Sequence, residues 1–223
     1  LHEAIIEDHL KDATPVDNPQ AIMMGGGTAS GKSTLIKSGD VEIPKNLVTV
    51  DSDKIKAALP EFNAKMAAGD PKAASFAHEE SSYLSKEIAS RASKGGYNVM
   101  LDGTGDSSVE GLGRKCEMMR QGGQPVHGVY ASVPTKVAHE RNRARAERNP
   151  DRTLVNPAFV SNVHASVSRV YPEAVKRGFY DTTKLYDTTA RGNPVLMASS
   201  KGTVLTVHNQ TLYNSFVAKG TEK

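Results

Sequence analysis

The chain has 223 residues, 38% of them hydrophobic and 24% charged, with a formal net charge of +3. That balance suits one soluble α/β domain with a small appendage, and the charge is too small to argue by itself for a nucleic-acid partner. Cys116 is the single cysteine, which excludes an internal disulfide and fits a small packing residue in a reducing compartment. No apolar run approaches the length of a membrane span and no signal peptide is visible, so a cytoplasmic location is expected. A chain that opens on Leu1 is also expected to be a trimmed piece or a domain of a longer polypeptide.

Residues 1–12 read as a short amphipathic helix with Ile5, Ile6 and Leu10 on one side, and 14–19 as a linker. Strand and helix then alternate, which argues for an α/β fold with a mostly parallel central sheet and crossover helices. The first strand is 21–24 and its helix 32–38. The second strand is 47–50, followed by a short helix at 53–58. A long helix is predicted over 72–93, with Phe76, Ala77, Leu84 and Ile88 near one face and Gly95-Gly96 ending it. The third strand is 97–101, a helix spans 109–121, and the fourth strand is 126–132. An Arg-rich helix covers 135–148, and further helices cover 157–169 and 172–177. A strand near 184–187 completes the core sheet. One or two strands (195–197, 204–207) and a closing helix end the chain. The expected organisation is an N-terminal helix and linker (1–20), a core (21–190) with a lid at 135–156, and a C-terminal extension of the same domain (191–223).

Between the first strand and its helix stand Gly26, Gly27, Thr28, Ala29, Ser30, Gly31, Lys32 and Ser33, a complete phosphate-binding loop of the form G-x-x-x-x-G-K-S/T. Glycines let backbone N–H groups turn inward around a phosphate, and the helix N-terminus adds positive potential. Lys32 is expected to reach the β- and γ-phosphates of a nucleoside triphosphate and Ser33 to hold Mg²⁺, with Thr34 at the same helix start.

Ligands of open α/β sheets sit beyond the carboxyl ends of the strands. Asp51 and Asp53 come after the second strand, and Asp102-Gly103-Thr104-Gly105 after the third. Lone aspartates there are commonly caps or turn formers. Carboxylates after two strands beside a phosphate loop point instead to phosphoryl transfer, which needs a base for the acceptor hydroxyl, Mg²⁺ and cations on the transferring group. Asp53 is the candidate base. Asp51 and Asp102 are candidates to assist Mg²⁺ through water, and capping a helix is the alternative role for Asp51. Thr104 offers a hydroxyl to the acceptor, as do Glu79 and Glu80 their carboxylates from the long helix. Arg141, Arg143, Arg145, Arg148 and Arg152, with no lysine among them, favour bidentate phosphate recognition and read as a lid. The absence of aromatic residues in that stretch argues against nucleic acid.

These residues resemble the zeta-toxin-family kinases, the toxic half of bacterial toxin–antitoxin pairs, over about 21–188. The resemblance rests on the loop, on Val50-Asp51-Ser52-Asp53, on Gly96-Tyr97-Asn98-Val99-Met100-Leu101-Asp102-Gly103-Thr104-Gly105, and on Val133-Pro134 with its downstream arginines. It implies a P-loop kinase fold and ATP- or GTP-dependent phosphorylation of a UDP-N-acetyl sugar, at the 3′ hydroxyl of UDP-N-acetylglucosamine, together with an antitoxin partner. It further implies that Lys32 binds phosphate, Asp53 is the base, Thr104 touches the substrate, and Arg145 and Arg152 are the catalytic lid arginines. In the similar adenylate-kinase spacing the first arginine, here Arg141, packs on the base. Asp102 stands where the family usually has Glu. The family's Glu on the long helix falls at Lys86, so Glu79 or Glu80 would replace it, and Asp106 stands where Arg is expected. Three alternatives stay open: another acceptor (a nucleoside, NAD or an antibiotic), a nucleotide-driven switch or ATPase module of a larger protein, and a nucleic-acid end kinase.

Overall fold

The structure, a computed structural model, describes residues 1–70, 72–105, 108–148 and 154–221. In chain order its elements are α1 (His2–Leu10), β1 (Ala21–Gly25), α2 (Lys32–Ser38), β2 (Val48–Asp51), α3 (Ser52–Ala57), α4 (Pro60–Ala67), α5 (Ala73–Phe76) and α6 (His78–Lys94). Then come β3 (Val99–Asp102), α7 (Val109–Met119), β4 (Val126–Ser132), α8 (Thr135–Arg148), α9 (Pro157–Lys176), β5 (Thr182–Asp187), β6 (Val195–Lys201), β7 (Val204–Val207) and α10 (Gln210–Ala218). The strands run in the order β2-β3-β1-β4-β5-β6-β7 in a mostly parallel sheet, as the alternating pattern predicts. No helix of the described residues is long and apolar enough to cross a membrane. Backbone contacts group the chain into two compact units, Leu1–Ile22 with Pro44–Gly103 and Glu117–Pro125, and Met23–Ile43 with Thr104–Cys116 and Val126–Lys223.

In the first unit β2 and β3 pair in parallel from Val48↔Val99 to Asp51↔Asp102, so the two aspartates lie side by side where the strands end. Val48, Val50 and Val99 are buried. Leu84, Ile88, Ala89 and Ala92 recur at helical spacing and give α6 its buried face. Buried Asn98 pins the segment ahead of β3: its Oδ1 accepts from Gln20 N (2.8 Å) and its Nδ2 donates to Asn46 O (2.9 Å). The helix expected over 72–93 is two helices, α5 and α6, divided at Ala77 (φ −84°, ψ 0°). Phe76, placed on the core face by the helical reading, is 55% exposed, with Lys65 Nζ 4.6 Å from its ring centroid. A further helix, α4, starts with Pro60 in its first turn, where the missing N–H costs nothing and the fixed φ suits a helix.

In the second unit β4 and β5 pair in parallel from His127↔Thr182 to Ser132↔Asp187, and β6 and β7 add to β5 as antiparallel strands. Tyr130, Tyr171 and Tyr180 fill the space behind β4, with a 2.6 Å hydroxyl contact between Tyr130 and Tyr180 and edge-on packing of Tyr130 against Tyr171. The two helices expected at 157–169 and 172–177 are one, α9, which continues through Pro172. An interior proline removes a hydrogen bond and costs about 3 kcal/mol. The buried face, from Val160 and Val163 through Tyr171 to Ala174 and Val175, is continuous on both sides of the proline and outweighs that cost. Cys116 on α7 is buried and forms no disulfide, as a packing residue would.

Candidate active site

The loop after β1 is held in a conformation that depends on glycine. Gly26 (φ +134°) and Gly31 (φ +90°) are in the left-handed half of the map, and Gly31 is the N-cap of α2. A Cβ on Gly26 would lie 2.3 Å from Ala131 O. Ala29, at φ +60°, is the only non-glycine with positive φ among the described residues, a conformation that costs about 1 kcal/mol or more and persists only when its surroundings enforce it. Gly26 N donates to Thr104 O at 2.7 Å, which ties the loop to the Thr104-Gly105 turn. Lys32 Nζ reaches back to Gly26 O at 3.1 Å. Ser33 and Thr34 are exposed in the first turn of α2, whereas Leu35 anchors that helix in the core. Ser30 is 1% exposed, and among the described residues its hydroxyl has no hydrogen-bond partner.

The outer side of the loop is gripped by side chains from far along the chain. His164 on α9 is 2% exposed and its Nε2 meets Thr28 O at 2.9 Å. Burial drives its pKa down to about 4; the Thr28 carbonyl pulls it up, and the charges of Lys219, Lys32 and His139 push it further down. The neutral ring therefore carries its proton on Nε2, since a carbonyl can only accept. The ring lies against Gly27, where a Cβ would come within 2.4 Å of it. Thr188, just past β5, donates its hydroxyl to Ser30 O and lies 3.2 Å from Ser132 O, which also accepts from Thr188 N (2.9 Å). Arg141 on α8 donates through Nη2 to Thr188 O (2.8 Å) and Thr189 O (3.0 Å). Lys219, also buried, donates to Ser132 Oγ (2.5 Å) and Val133 O (3.0 Å) where β4 leads into α8. A shallow groove beside the loop is lined by Thr34, Leu35, Thr188, Ala190, Gly192 and Pro194.

In the first unit Asp51 is the N-cap of α3 and accepts from Asp53 N at 2.9 Å, which is the capping role its position allows. Its neighbour in register, Asp102, is half-buried at the end of β3. The Asp53 side chain is 79% exposed, with Lys56 Nζ at 3.4 Å. Glu79 and Glu80 open α6, and Glu80 Oε1 contacts His2 Nε2 at 2.6 Å. Two groups of predicted residues are thus each assembled within one unit: Asp51, Asp53 and Asp102 in the first, and Gly26 to Thr34 with Thr104 and Arg141 in the second. Arg145 lies exposed on α8. Arg152 and Asp106 lie outside the described residues.

His164, Thr188 and Lys219 carry no signal that the sequence reading used. A lone histidine on an apolar helix face reads as core, and a buried lysine near a chain end has no pattern at all. Thr188 could have been found, because the rule applied to strands 2 to 4 also points to the residues just past β5.

The chain is similar to Toxin zeta of Streptococcus agalactiae (29% identical over 103 residues) and of Enterococcus hirae (28% over 100 residues). These stretches cover 46% and 45% of this chain but only 36% and 35% of those proteins, so the matched region is about a third of their length. The fold is similar to a structure from the PezAT chromosomal toxin–antitoxin system of Streptococcus pneumoniae (TM-score 0.75, 14% identity, 99% of this chain and 91% of that one). It is also similar to the AvrRxo1-ORF1:AvrRxo1-ORF2 complex crystallised with ATP (TM-score 0.72, 18% identity, 98% and 71%). The Zeta toxin family model matches residues 4–193, and the chain belongs to that family.

Proposed function

We propose that the chain is a kinase that transfers the γ-phosphate of ATP or GTP to a hydroxyl of a UDP-N-acetyl sugar, with UDP-N-acetylglucosamine as the foremost acceptor and bacterial cell-wall synthesis as the target. The observation that carries the nucleotide half is the strand–loop–helix from Ala21 to Ser38, with Gly26, Ala29 and Gly31 at positive φ and Lys32 folded along the loop. Family membership and the fold shared with a protein crystallised with ATP support it. The sugar acceptor rests on the resemblance to zeta toxins, and so does the proposed antitoxin partner, to which the PezAT likeness adds support.

In this reading Lys32 neutralises the β- and γ-phosphates, Asp53 takes the proton of the acceptor hydroxyl, and Arg145 and Arg152 stabilise charge on the transferring group. Thr104 with Glu79 or Glu80 would hold the acceptor, and Arg141 would flank the base. The exposed Ser33 hydroxyl and the carboxylates of Asp51 and Asp102, residues adjacent in strand register, are hard oxygen donors of the kind Mg²⁺ takes alongside water and phosphate. When bound, Mg²⁺ would offset the charge on the phosphate oxygens.

The test is purified chain with labelled ATP or GTP and a panel of UDP-sugars, nucleosides, NAD and oligonucleotides. Label is expected in the UDP-N-acetyl sugar. Lys32→Ala should weaken nucleotide binding and abolish transfer. Asp53→Ala should spare binding and slow transfer about 10²–10⁴-fold. Label in another compound removes the sugar acceptor, and near-normal turnover by Asp53→Ala removes the base.

A further inference from the structure

We propose that His164 is a positioning residue of the nucleotide site, acting through the Thr28 carbonyl to hold the Ala29 amide toward the bound phosphates. The inference rests on the reading that this loop takes a nucleoside triphosphate, and it concerns how the loop is kept ready for one.

A trans peptide is planar, with its C=O and the following N–H pointing in opposite directions. An atom that holds the Thr28 carbonyl therefore also sets the Ala29 N–H, which must point away from it. His164 Nε2 holds that carbonyl at 2.9 Å from the buried face of α9. Two residues on, the Thr188 hydroxyl does the same for the Ser30 carbonyl, which directs the Gly31 N–H away from Thr188. Alternate carbonyls of the loop are thus gripped by two elements, and the amides that follow them, Ala29 N–H and Gly31 N–H, are turned to the other side, while Ser30 N–H donates within the loop to Gly27 O (3.1 Å). A concave run of such amides is the form in which backbone binds phosphate.

Local chemistry does not explain this conformation. Ala29 sits at φ +60°, where alanine has no preference to be, so its surroundings must enforce it. The His164 ring also fills the space beside Gly27 so closely that no Cβ could enter. Glycine at 27 and histidine at 164 form one fitted contact, although nothing in the loop motif demands a histidine. The ring is apolar enough in its neutral form to sit in the core of α9, yet it supplies the single donor the carbonyl needs.

The experiment measures binding of a fluorescent ATP analogue with no acceptor present, on wild-type chain, His164→Gln and His164→Leu, each checked for folding by circular dichroism. Gln places an amide N–H near the Nε2 position, and Leu keeps bulk without a donor. His164→Leu should weaken ATP binding about tenfold or more, in line with the loss of one buried hydrogen bond. His164→Gln should stay within about threefold of wild type, the rescue that a mere space-filler would not show. Should His164→Leu fail to fold, Thr188→Val tests the same clamp and should weaken ATP binding to a similar degree. Equal affinities for wild type, His164→Leu and Thr188→Val would overturn the clamp while leaving the nucleotide site in place. Absence of ATP binding by the folded wild-type chain would overturn the nucleotide reading itself.

Discussion

Burial of His164 gives the fold an acid sensitivity whose size and direction can be worked out. Its ring titrates at about 4 in the folded chain, against 6.5 for an unperturbed histidine. The unfolded chain therefore binds a proton on this residue more readily than the folded one. The stability it contributes is complete above pH 6.5 and is lost as pH falls from 6.5 toward 4. At about 1.4 kcal/mol per pH unit, the loss is on the order of 2 kcal/mol at pH 5 and about 3 kcal/mol once pH 4 is reached. With only 2% of the residue exposed, little of this is screened by solvent. His164→Gln removes the titration and keeps an amide donor. Urea unfolding of wild type and His164→Gln at pH 7 and pH 5 isolates the effect, because half-buried His127, also held below its usual pKa by burial, acts equally in both proteins. Wild type should lose about 2 kcal/mol more than the variant on acidification. Equal losses in the two proteins, or a His164 resonance titrating near 6.5 by NMR, would refute the reasoning.

Two further outcomes are expected. Arg145→Lys keeps the charge but loses the planar fork, so kcat for phosphoryl transfer should fall about tenfold or more with nucleotide affinity little changed; strong salt dependence and equal loss of oligonucleotide binding would favour a nucleic-acid partner instead. Lys219→Met leaves Val133 O and the Ser132 hydroxyl short of a buried donor, and should lower stability by about 1–3 kcal/mol in denaturant titration; an unchanged midpoint would show that those oxygens find other partners.

Local pattern controls the parts of the chain that are legible in its sequence. The strand from Val126 to Ser132 and the helices from Lys32 to Ser38 and Thr135 to Arg148 fall where apolar runs and breakers put them. The phosphate loop is legible because glycine spacing and a Lys-Ser pair are adjacent in sequence. The division at Ala77 is not, because Lys72 to Glu80 contains no glycine or proline to announce it. At Pro172 the opposite error arises. A residue that breaks isolated helices is tolerated because the apolar face of α9 is buried on both sides of it.

The same boundary separates the two classes of residue in the nucleotide half. Groups proposed to meet the nucleotide, Lys32 and Ser33, lie within one turn of the glycines and carry the motif. Groups that hold the loop in shape come from a great distance: His164 contacts a carbonyl 136 residues before it, and Thr188 one 158 residues before it. No local spacing connects such pairs, because the constraint between them is a fit in space. The three atoms nearest a Cβ on Gly27 all belong to His164, and Ala29, at φ +60°, follows the Thr28 carbonyl that His164 contacts. A substitution at His164 or Thr188 would thus leave the phosphate-loop motif intact, yet remove part of the support that gives that motif its geometry.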